Sequence, residues 1–360
     1  MALSAQIDRV GSANQEGLGP PDPPHGLPLF VAVNAGCNLR CFYCTENGEN
    51  RFAGGGRLSV SRLQQVLAAA YASGVRTFRF TGGEPTLRRS LGAILLTARE
   101  LGPDVRIAIT TNGARLEQLR PVLAELEDAD VFLSVDGYAE GEPPPSHGEG
   151  LTIEKWLTPR LRDVIRSLRG LARLRLNYVL TSTNADQLPA LIEYALRERI
   201  DLKIFELLLR DFHYAGDRPR VDVFREQYVP VRLLLPQLRR RFGDPRPFAG
   251  TGGRGIPMQA FEGGGGSRII YFDSLMGSHY GEACSDCPLF PCQEGLYGLM
   301  LDANGTLHPA GCTHRRLRAH LALARPEQLL AEFRRVRGAI DAAALQRVTP
   351  EALNPTTMLT

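Results

Sequence analysis

Past residue 27, short runs dense in apolar and β-branched residues alternate with longer stretches whose apolar positions recur every three to four residues. The runs at 29–33, 76–80, 106–110, 131–135, 173–180 and 202–207 predict strands, and the stretches at 59–73, 90–101, 116–126, 153–171 and 186–199 predict helices. Strands that alternate with helices in this way build parallel βα units. The pattern alone leaves a barrel and a doubly wound sheet both open, and in either the loops after the strands carry the chemistry. Upstream, the run GLGPPDPPHG marks residues 1–27 as a flexible leader. From about 210 to 275 the periodicity weakens, and the glycine-rich pieces at 250–255 and 263–266 read as a linker or a lid. An amphipathic helix is expected over 326–348. The plan is thus a leader (1–27), a βα domain (28–240), a cysteine-bearing region (241–320) and a terminal helix with its tail (321–360).

At 360 residues the chain can bury a large core. Its net charge of +3 implies neither a nucleic-acid nor a membrane partner. No stretch approaches ~20 apolar residues and the N-terminus has no signal-peptide core, so a soluble, cytoplasmic protein is expected. Among the 42 basic residues only Lys155 and Lys203 are lysine, an excess of arginine that reads as a compositional bias. The seven cysteines fall in two groups, which suits metal ligation in a reducing compartment better than a disulfide framework.

The first group is Cys37, Cys41 and Cys44 in CNLRCFYC, a C-x3-C-x2-C loop just after the first strand. One short loop can present three thiolates to a [4Fe-4S] cluster and leave the fourth iron open to a small chelating molecule. Three buried thiols or zinc are the alternatives, but zinc asks for four ligands and no histidine is near. Other polar sequences also close strands: TGGEPTLR with Gly82, Gly83, Glu84 and Pro85, then TNG with Thr111, Asn112 and Gly113, then Ser134 and Asp136. The glycine pair allows close backbone approach to a ligand and Glu84 offers an anion. The second group is Cys284, Cys287 and Cys292 in CSDCPLFPC, followed by Cys312 after a DANG hairpin signal that folds it back toward them. Zinc would be satisfied by these four as well.

These features together resemble the radical S-adenosylmethionine (SAM) superfamily. The resemblance implies an open partial (β/α)6 TIM-like barrel with a C-terminal auxiliary-cluster domain. It also implies an electron from the reduced cluster that cleaves SAM to methionine and a 5'-deoxyadenosyl radical, which takes hydrogen from substrate. By the same likeness Tyr43 packs beside the adenine, Gly82, Gly83, Glu84 and Pro85 bind the SAM amino group, Asn112 lies at the cofactor, and a flavodoxin or ferredoxin donates the electron. Within the superfamily the chain is most similar to the GTP cyclases of molybdenum-cofactor biosynthesis, over roughly residues 28–315. Arg79, Thr110, Ser134, Asn177 and Glu206 fall on that family's signature runs. Position by position, Gly83, Ser134 and Leu208 match residues at SAM, and Arg79, Thr110 and Arg175 match residues near the nucleotide. Capping or strand-end hydrogen bonding is the alternative role for Ser134 and Asn177. The likeness further implies an auxiliary [4Fe-4S] cluster on Cys284, Cys287 and Cys312, hence two clusters in all. Cys292 is an additional candidate whose ligation would close the cluster to substrate.

The chain also departs from that family. Phe30, Gly298 and Met300 stand where the cyclases have substrate arginines, and the chain ends NPTTMLT without their glycine pair. At ~1.5 to 3 kcal/mol per charged hydrogen bond, three missing phosphate ligands remove several kcal/mol of binding. A small metabolite other than GTP is therefore expected, processed in cofactor or natural-product biosynthesis, with Arg79 and Arg175 reading an anionic or sugar-like group. A peptide-modifying enzyme is the second reading, although 27 leader residues are too few for a winged-helix peptide-binding domain. A non-catalytic metal-binding module is the third. Asp211, His213 and Tyr214 follow the sixth strand and either reach the barrel mouth or form a solvated loop, His279 and Tyr280 precede the later cysteines as substrate contacts or hydrogen-bond donors to the cluster, and Glu46 and Asn47 lie near the SAM site in sequence with no role assigned.

Overall fold

A computed structural model describes residues 26–44, 56–143, 153–208, 218–248, 254–285, 287, 292–312 and 317–348. The leader through residue 25, the tail from 349, and Glu46, Asn47, Asp211, His213, Tyr214 and Gly250 lie outside the described residues.

Six strands fall where the pattern predicts them: β1 (Leu29–Ala32), β2 (Thr77–Thr81), β3 (Arg106–Thr111), β4 (Ala129–Ser134), β5 (Ala172–Leu180) and β6 (Asp201–Glu206). The helices that follow are α1 (Val60–Ala72), α2 (Leu91–Arg99), α3 (Arg120–Leu126), α4 (Pro159–Ser167) and α5 (Leu188–Glu198). Ser59 starts α1 by accepting the Arg62 N–H at 3.1 Å, which satisfies one of the open donors of the first turn. The helix expected over 153–171 begins only at Pro159. Proline suits the first helical position, Thr158 caps it by accepting the Leu161 N–H at 3.2 Å, and the residue before a proline is driven to extended geometry. Residues 153–157 therefore run extended, and Trp156–Leu157 pairs with Gly137–Tyr138 just beyond β4.

Later in the chain come α6 (Arg218–Gln227), α7 (Leu235–Phe242), β7 (Arg246–Phe248), β8 (Met258–Glu262), β9 (Arg268–Phe272), β10 (Gly298–Leu301), β11 (Thr306–Ala310), β12 (Ala319–His320) and α8 (Pro326–Leu345). The strands form one twelve-stranded sheet in the order β12-β11-β10-β1-β2-β3-β4-β5-β6-β9-β8-β7. β10 joins β1 and β9 joins β6, both in parallel, so the parallel set extends past the expected six at each edge. The segment 241–320 is continuous with the barrel sheet.

Strand alternation sorts the two faces. Phe78, Phe80, Ile107, Ile109, Val131, Leu133, Leu176, Tyr178 and Leu180 are buried, packed in one core with helix residues such as Leu63, Leu67, Ile94, Leu123, Ile165 and Leu191. The intervening positions face the other way and are largely polar: Arg79, Thr110, Arg175, Asn177 and Lys203, with Phe132 among them. α8 packs on α1 and β11, where Arg337 donates to the Ser73 carbonyl at 2.6 Å.

Because Phe78 is fully buried between β2 and its helices, Phe78→Ala should lower unfolding free energy by about 3–5 kcal/mol. Leu323→Ala, at a position 96% exposed, should stay within about 0.5 kcal/mol. Anaerobic urea titration checks both.

Candidate active site

The cysteine loop leaves β1 alongside the GGEP loop that leaves β2, and the two stay hydrogen-bonded past the strand ends. Val33 N–H donates to Thr81 O at 2.9 Å, Gly83 N–H to Asn34 O at 3.0 Å and Glu84 N–H to Gly36 O at 2.9 Å. A Cβ at Gly83 would strike the Ala35 and Gly36 carbonyls, and one at Gly82, where φ is +145°, would strike Asn34. The close approach made possible by the glycine pair is to the protein's own cysteine loop.

Glu84 is 1% exposed, and both its carboxylate oxygens are engaged by the protein. Oε1 accepts from Thr86 N–H (3.0 Å), Thr86 Oγ1 (2.6 Å) and Thr111 Oγ1 (2.5 Å), and Oε2 accepts from Asn112 N–H (2.7 Å). Its backbone carbonyl takes the Asn34 amide at 3.0 Å. Expected as an anion at the SAM amino group, this side chain instead ties together the loops after β1, β2 and β3, because a carboxylate buried this deeply needs its partners inside the fold. Pro85 opens the 3-10 turn Pro85–Leu87 that follows.

Of the three loop cysteines, Cys37 is exposed, Cys44 half-buried and Cys41 buried. Burial pushes the Cys41 thiol up to about 12, while the Lys155 ammonium pulls it down. Leu39 N–H donates to Cys37 Sγ at 3.4 Å, and the Asn112 amide approaches the same sulfur at 3.7 Å while donating to Asn38 Oδ1 at 3.0 Å. Asn112 is thus placed at the cysteine loop. Among the described residues no three Cys, His, Asp or Glu close around a single ion. A four-iron cluster asks something else, since each thiolate binds its own iron and hydrogen bonds to the sulfurs tune it. Three thiols on one loop, with N–H donors at Cys37 and a nearby cation, fit that group.

Tyr43 lies between the second and third cysteines of the loop. Its hydroxyl donates to Asp136 Oδ2 and accepts from Lys155 Nζ at 2.7 Å, and the ring sits 4.8 Å from that ammonium. Expected beside an adenine, the phenol is held by two charged side chains, and burial and Asp136 push its pKa well above the ordinary value. Lys155 also pairs with Asp136 at 3.7 Å. The neighbouring Glu154 carboxylate takes the Arg40 N–H, so consecutive residues of the extended segment grip the cysteine loop.

On the inward face, Arg79 donates to Thr110 Oγ1 at 2.7 Å and Arg175 to Asn177 Oδ1 at 3.1 Å. Both guanidiniums lie on the Phe132 ring, at 4.7 and 3.7 Å, and Lys203 lies 4.4 Å from the Phe205 ring. Burial, then Arg175 and Arg79, hold the Lys203 amine well below its usual range. Burial and Arg79 likewise bring Arg175 down to about 9. Ser134 pairs with Asn177 at the strand ends, beside these cations. Leu208, half-buried, packs on the apolar cluster of Ile256, Met258, Ile270 and Phe272. Phe30 and Met300 are register partners on β1 and β10, a Gly298 Cβ would reach 3.0 Å from the Phe30 ring, and that ring is 5.1 Å from Arg79. The three positions without arginines therefore adjoin.

In the second cysteine group, Cys287 N–H turns back to Cys284 O at 3.1 Å, as a metal knuckle does. Tyr280 N–H donates to Cys284 Sγ at 3.3 Å and Gly295 N–H to Cys292 Sγ at 3.2 Å. Cys284 interacts electrostatically with both Cys287 and Cys292, and burial pushes Cys292 up to about 11. Gly311, next to Cys312, packs against Gly295 and Glu294. Tyr280 serves here through its backbone, while its hydroxyl goes to the Arg254 carbonyl.

Sequence reasoning marked Asp136 only as closing the fourth strand and passed over Lys155 and Lys203 as site residues. The available signal was the lysine count itself: both lysines of an arginine-rich chain point into the site. Glu206, on a signature run, proves to be a brace. It is 2% exposed and accepts Val231 N–H at 2.5 Å and Ser274 N–H at 2.7 Å.

Comparison with known proteins agrees with this geometry. The Radical SAM superfamily domain matches residues 31–195. The chain is 29% identical over 264 residues to the GTP 3',8-cyclase of Bradyrhizobium diazoefficiens, covering 71% of this chain and 72% of that one. It is 32% identical over 191 residues to a probable GTP 3',8-cyclase of Sulfolobus acidocaldarius, covering 52% and 56%. It thus spans just over half the length of the archaeal relative. Among solved structures, Streptococcus suis SuiB bound to S-adenosylmethionine aligns with a TM-score of 0.52 at 15% identity, over 91% of this chain and 72% of that one. Native anSMEcpe with bound AdoMet and Kp18Cys peptide aligns at 0.53 and 15%, over 88% and 84%. These two likenesses show the fold.

Two substitutions test the loop packing. Gly83→Ala should cost about 1–3 kcal/mol of stability through forced separation of the two loops and lower the iron bound per chain after anaerobic reconstitution. Glu84→Gln replaces one acceptor oxygen with a donor facing donors and should cost about 1–3 kcal/mol in urea titration.

Proposed function

We propose that the chain, whose residues 31–195 match the Radical SAM superfamily domain, is an enzyme of that superfamily and acts on a small anionic metabolite other than GTP. Cys37, Cys41 and Cys44 would hold a [4Fe-4S] cluster, which when bound would supply the electron for reductive cleavage of SAM. The remaining chemistry belongs to the chain's own residues. Gly82 and Gly83 offer backbone to the SAM amino group, Ser134 and Asn112 line the strand ends, and Leu208 adds an apolar wall. Arg79, Arg175 and Lys203 orient the anionic part of the substrate, while the barrel wall excludes water and competing hydrogen donors from the radical.

One observation carries the exclusion of GTP. Phe30, Gly298 and Met300 adjoin on β1 and β10 beside Arg79, so the wall where a triphosphate would need guanidiniums is aromatic and apolar. Alongside it, Arg79 on β2, Arg175 on β5 and Lys203 on β6 keep three basic groups on phenyl rings. A substrate with one compact anionic group and a sugar- or nucleoside-like body matches this division. Cys284, Cys287, Cys292 and Cys312 would hold a second, thiolate-saturated cluster, and a flavodoxin or ferredoxin would deliver the electron. The product would enter cofactor or natural-product biosynthesis.

Anaerobically reconstituted protein should bind about eight irons per chain if both centres form. With GTP as the added substrate, 5'-deoxyadenosine should stay at the background without substrate, and conversion of GTP at rates usual for enzymes overturns the reading. Cys37→Ala should abolish 5'-deoxyadenosine altogether. A bound anion raises the depressed Lys203 pKa, so in the pH range between its free and anion-bound values binding takes up a proton and affinity rises as pH falls. Titration calorimetry of phosphorylated sugars in buffers of different ionisation enthalpy reads that proton. Lys203→Met should remove both the proton uptake and about tenfold or more of the affinity.

A further inference from the structure

Lys155 and Lys203 are the chain's two lysines, and only Lys155 faces the cysteine loop. Its ammonium donates to Tyr43 Oη at 2.7 Å, lies 4.8 Å from the Tyr43 ring and pairs with Asp136 at 3.7 Å. The backbone around it is fixed as well, since Asp136 N–H and Gly137 N–H both donate to Lys155 O, at 2.7 and 3.2 Å. Glu154 anchors the loop at Arg40 N–H. The charge acts on Cys41, Cys44 and Cys37 together.

We infer that Lys155 is the positioning residue that sets the electrostatic environment of the three loop thiolates, so that its cation favours the one-electron-reduced state of the cluster they hold. The inference rests on the reading that Cys37, Cys41 and Cys44 carry that cluster. Reduction adds one electron from a low-potential one-electron donor, with no bond made or broken and no proton moved, so the cluster gains one unit of negative charge. A fixed positive charge beside the thiolates lowers the free energy of that state, and a fixed negative charge raises it. Asp136 holds Lys155 in place and at the same time opposes its effect. Hence the two residues have opposite signatures: loss of the lysine charge makes reduction harder, and loss of the aspartate charge makes it easier. A purely structural role for the pair would not produce shifts of opposite sign.

The test is a redox titration of the full chain, reconstituted anaerobically, that follows the electron paramagnetic resonance component that changes when SAM is added. In Lys155→Met with wild-type iron content, the reduced-to-oxidised ratio at a fixed potential should fall about tenfold, which is 59 mV for a one-electron couple. Lys155→Arg should recover most of the loss, and Asp136→Asn should move the ratio the other way. An unchanged potential in iron-loaded Lys155→Met overturns the inference. Should that variant fail to take up iron, Asp136→Asn decides, and absence of easier reduction there overturns it. Wild-type protein that shows no SAM-responsive cluster overturns the cluster reading itself and this inference with it, an outcome distinct from either variant result.

Discussion

The contact on which the site depends is backbone against backbone, where Gly83 lies on the peptide between Ala35 and Gly36. No side chain fits between them, so the loop that carries Cys37, Cys41 and Cys44 is set by the position of β2 as firmly as by β1. The ladder from Val33, Gly83 and Glu84 extends that control beyond the strands. Glu84 then carries it to a third strand, since its oxygens collect donors from Thr86, Thr111 and Asn112. Three loops that would otherwise move separately become one platform, the preorganisation that a radical reaction needs if the reacting atoms are to meet without solvent.

The inner face of the barrel divides its charges by depth. Near the strand starts, Arg173 meets Asp130 at 2.8 Å and Arg268 meets Asp201 at 2.6 Å, so charge is neutralised within the protein. Further along, Arg175 and Lys203 have no carboxylate within ion-pair distance among the described residues, and they lie on phenyl rings instead. Aromatic faces hold such cations without cancelling their charge. That leaves an electropositive field directed at the lumen, and the fall in Lys203 basicity is the cost of holding these cations together. A ligand that carries the compensating anion relieves it.

The six central strands were legible because each is a short apolar run bounded by turn residues, and the loops that follow them carry their own polar markers. β9 and β10 were not, since they join the sheet from a glycine-rich region without a preceding amphipathic helix, and pairing at an edge leaves no local periodicity. The expected helix over 153–171 followed an apolar rhythm across Pro159, whose backbone geometry outweighs it. That error concealed Lys155, which reaches Tyr43 only from an extended segment. In the sequence, the glycine pair before Glu84 and the cysteine loop upstream make it look like a ligand. Its burial, visible only in three dimensions, demands internal donors. Phe30, Gly298 and Met300 were recognisable singly, but their adjacency depends on the parallel pairing of β1 with β10.

That same pairing connects the two cysteine groups. Cys292 precedes Tyr297 by five residues, and the intervening Gly295 is packed between the Gly255 backbone, Tyr280 Oη and Gly311. Tyr297 meets the Phe30 ring edge-on at 5.6 Å, and Gly298 begins β10 against β1. The wall of Phe30, Gly298 and Met300 is therefore the direct continuation of the second cysteine segment. Close packing leaves that short segment no slack, so any ligand that draws Cys284, Cys287 and Cys292 together acts on the position of Tyr297 and Phe30.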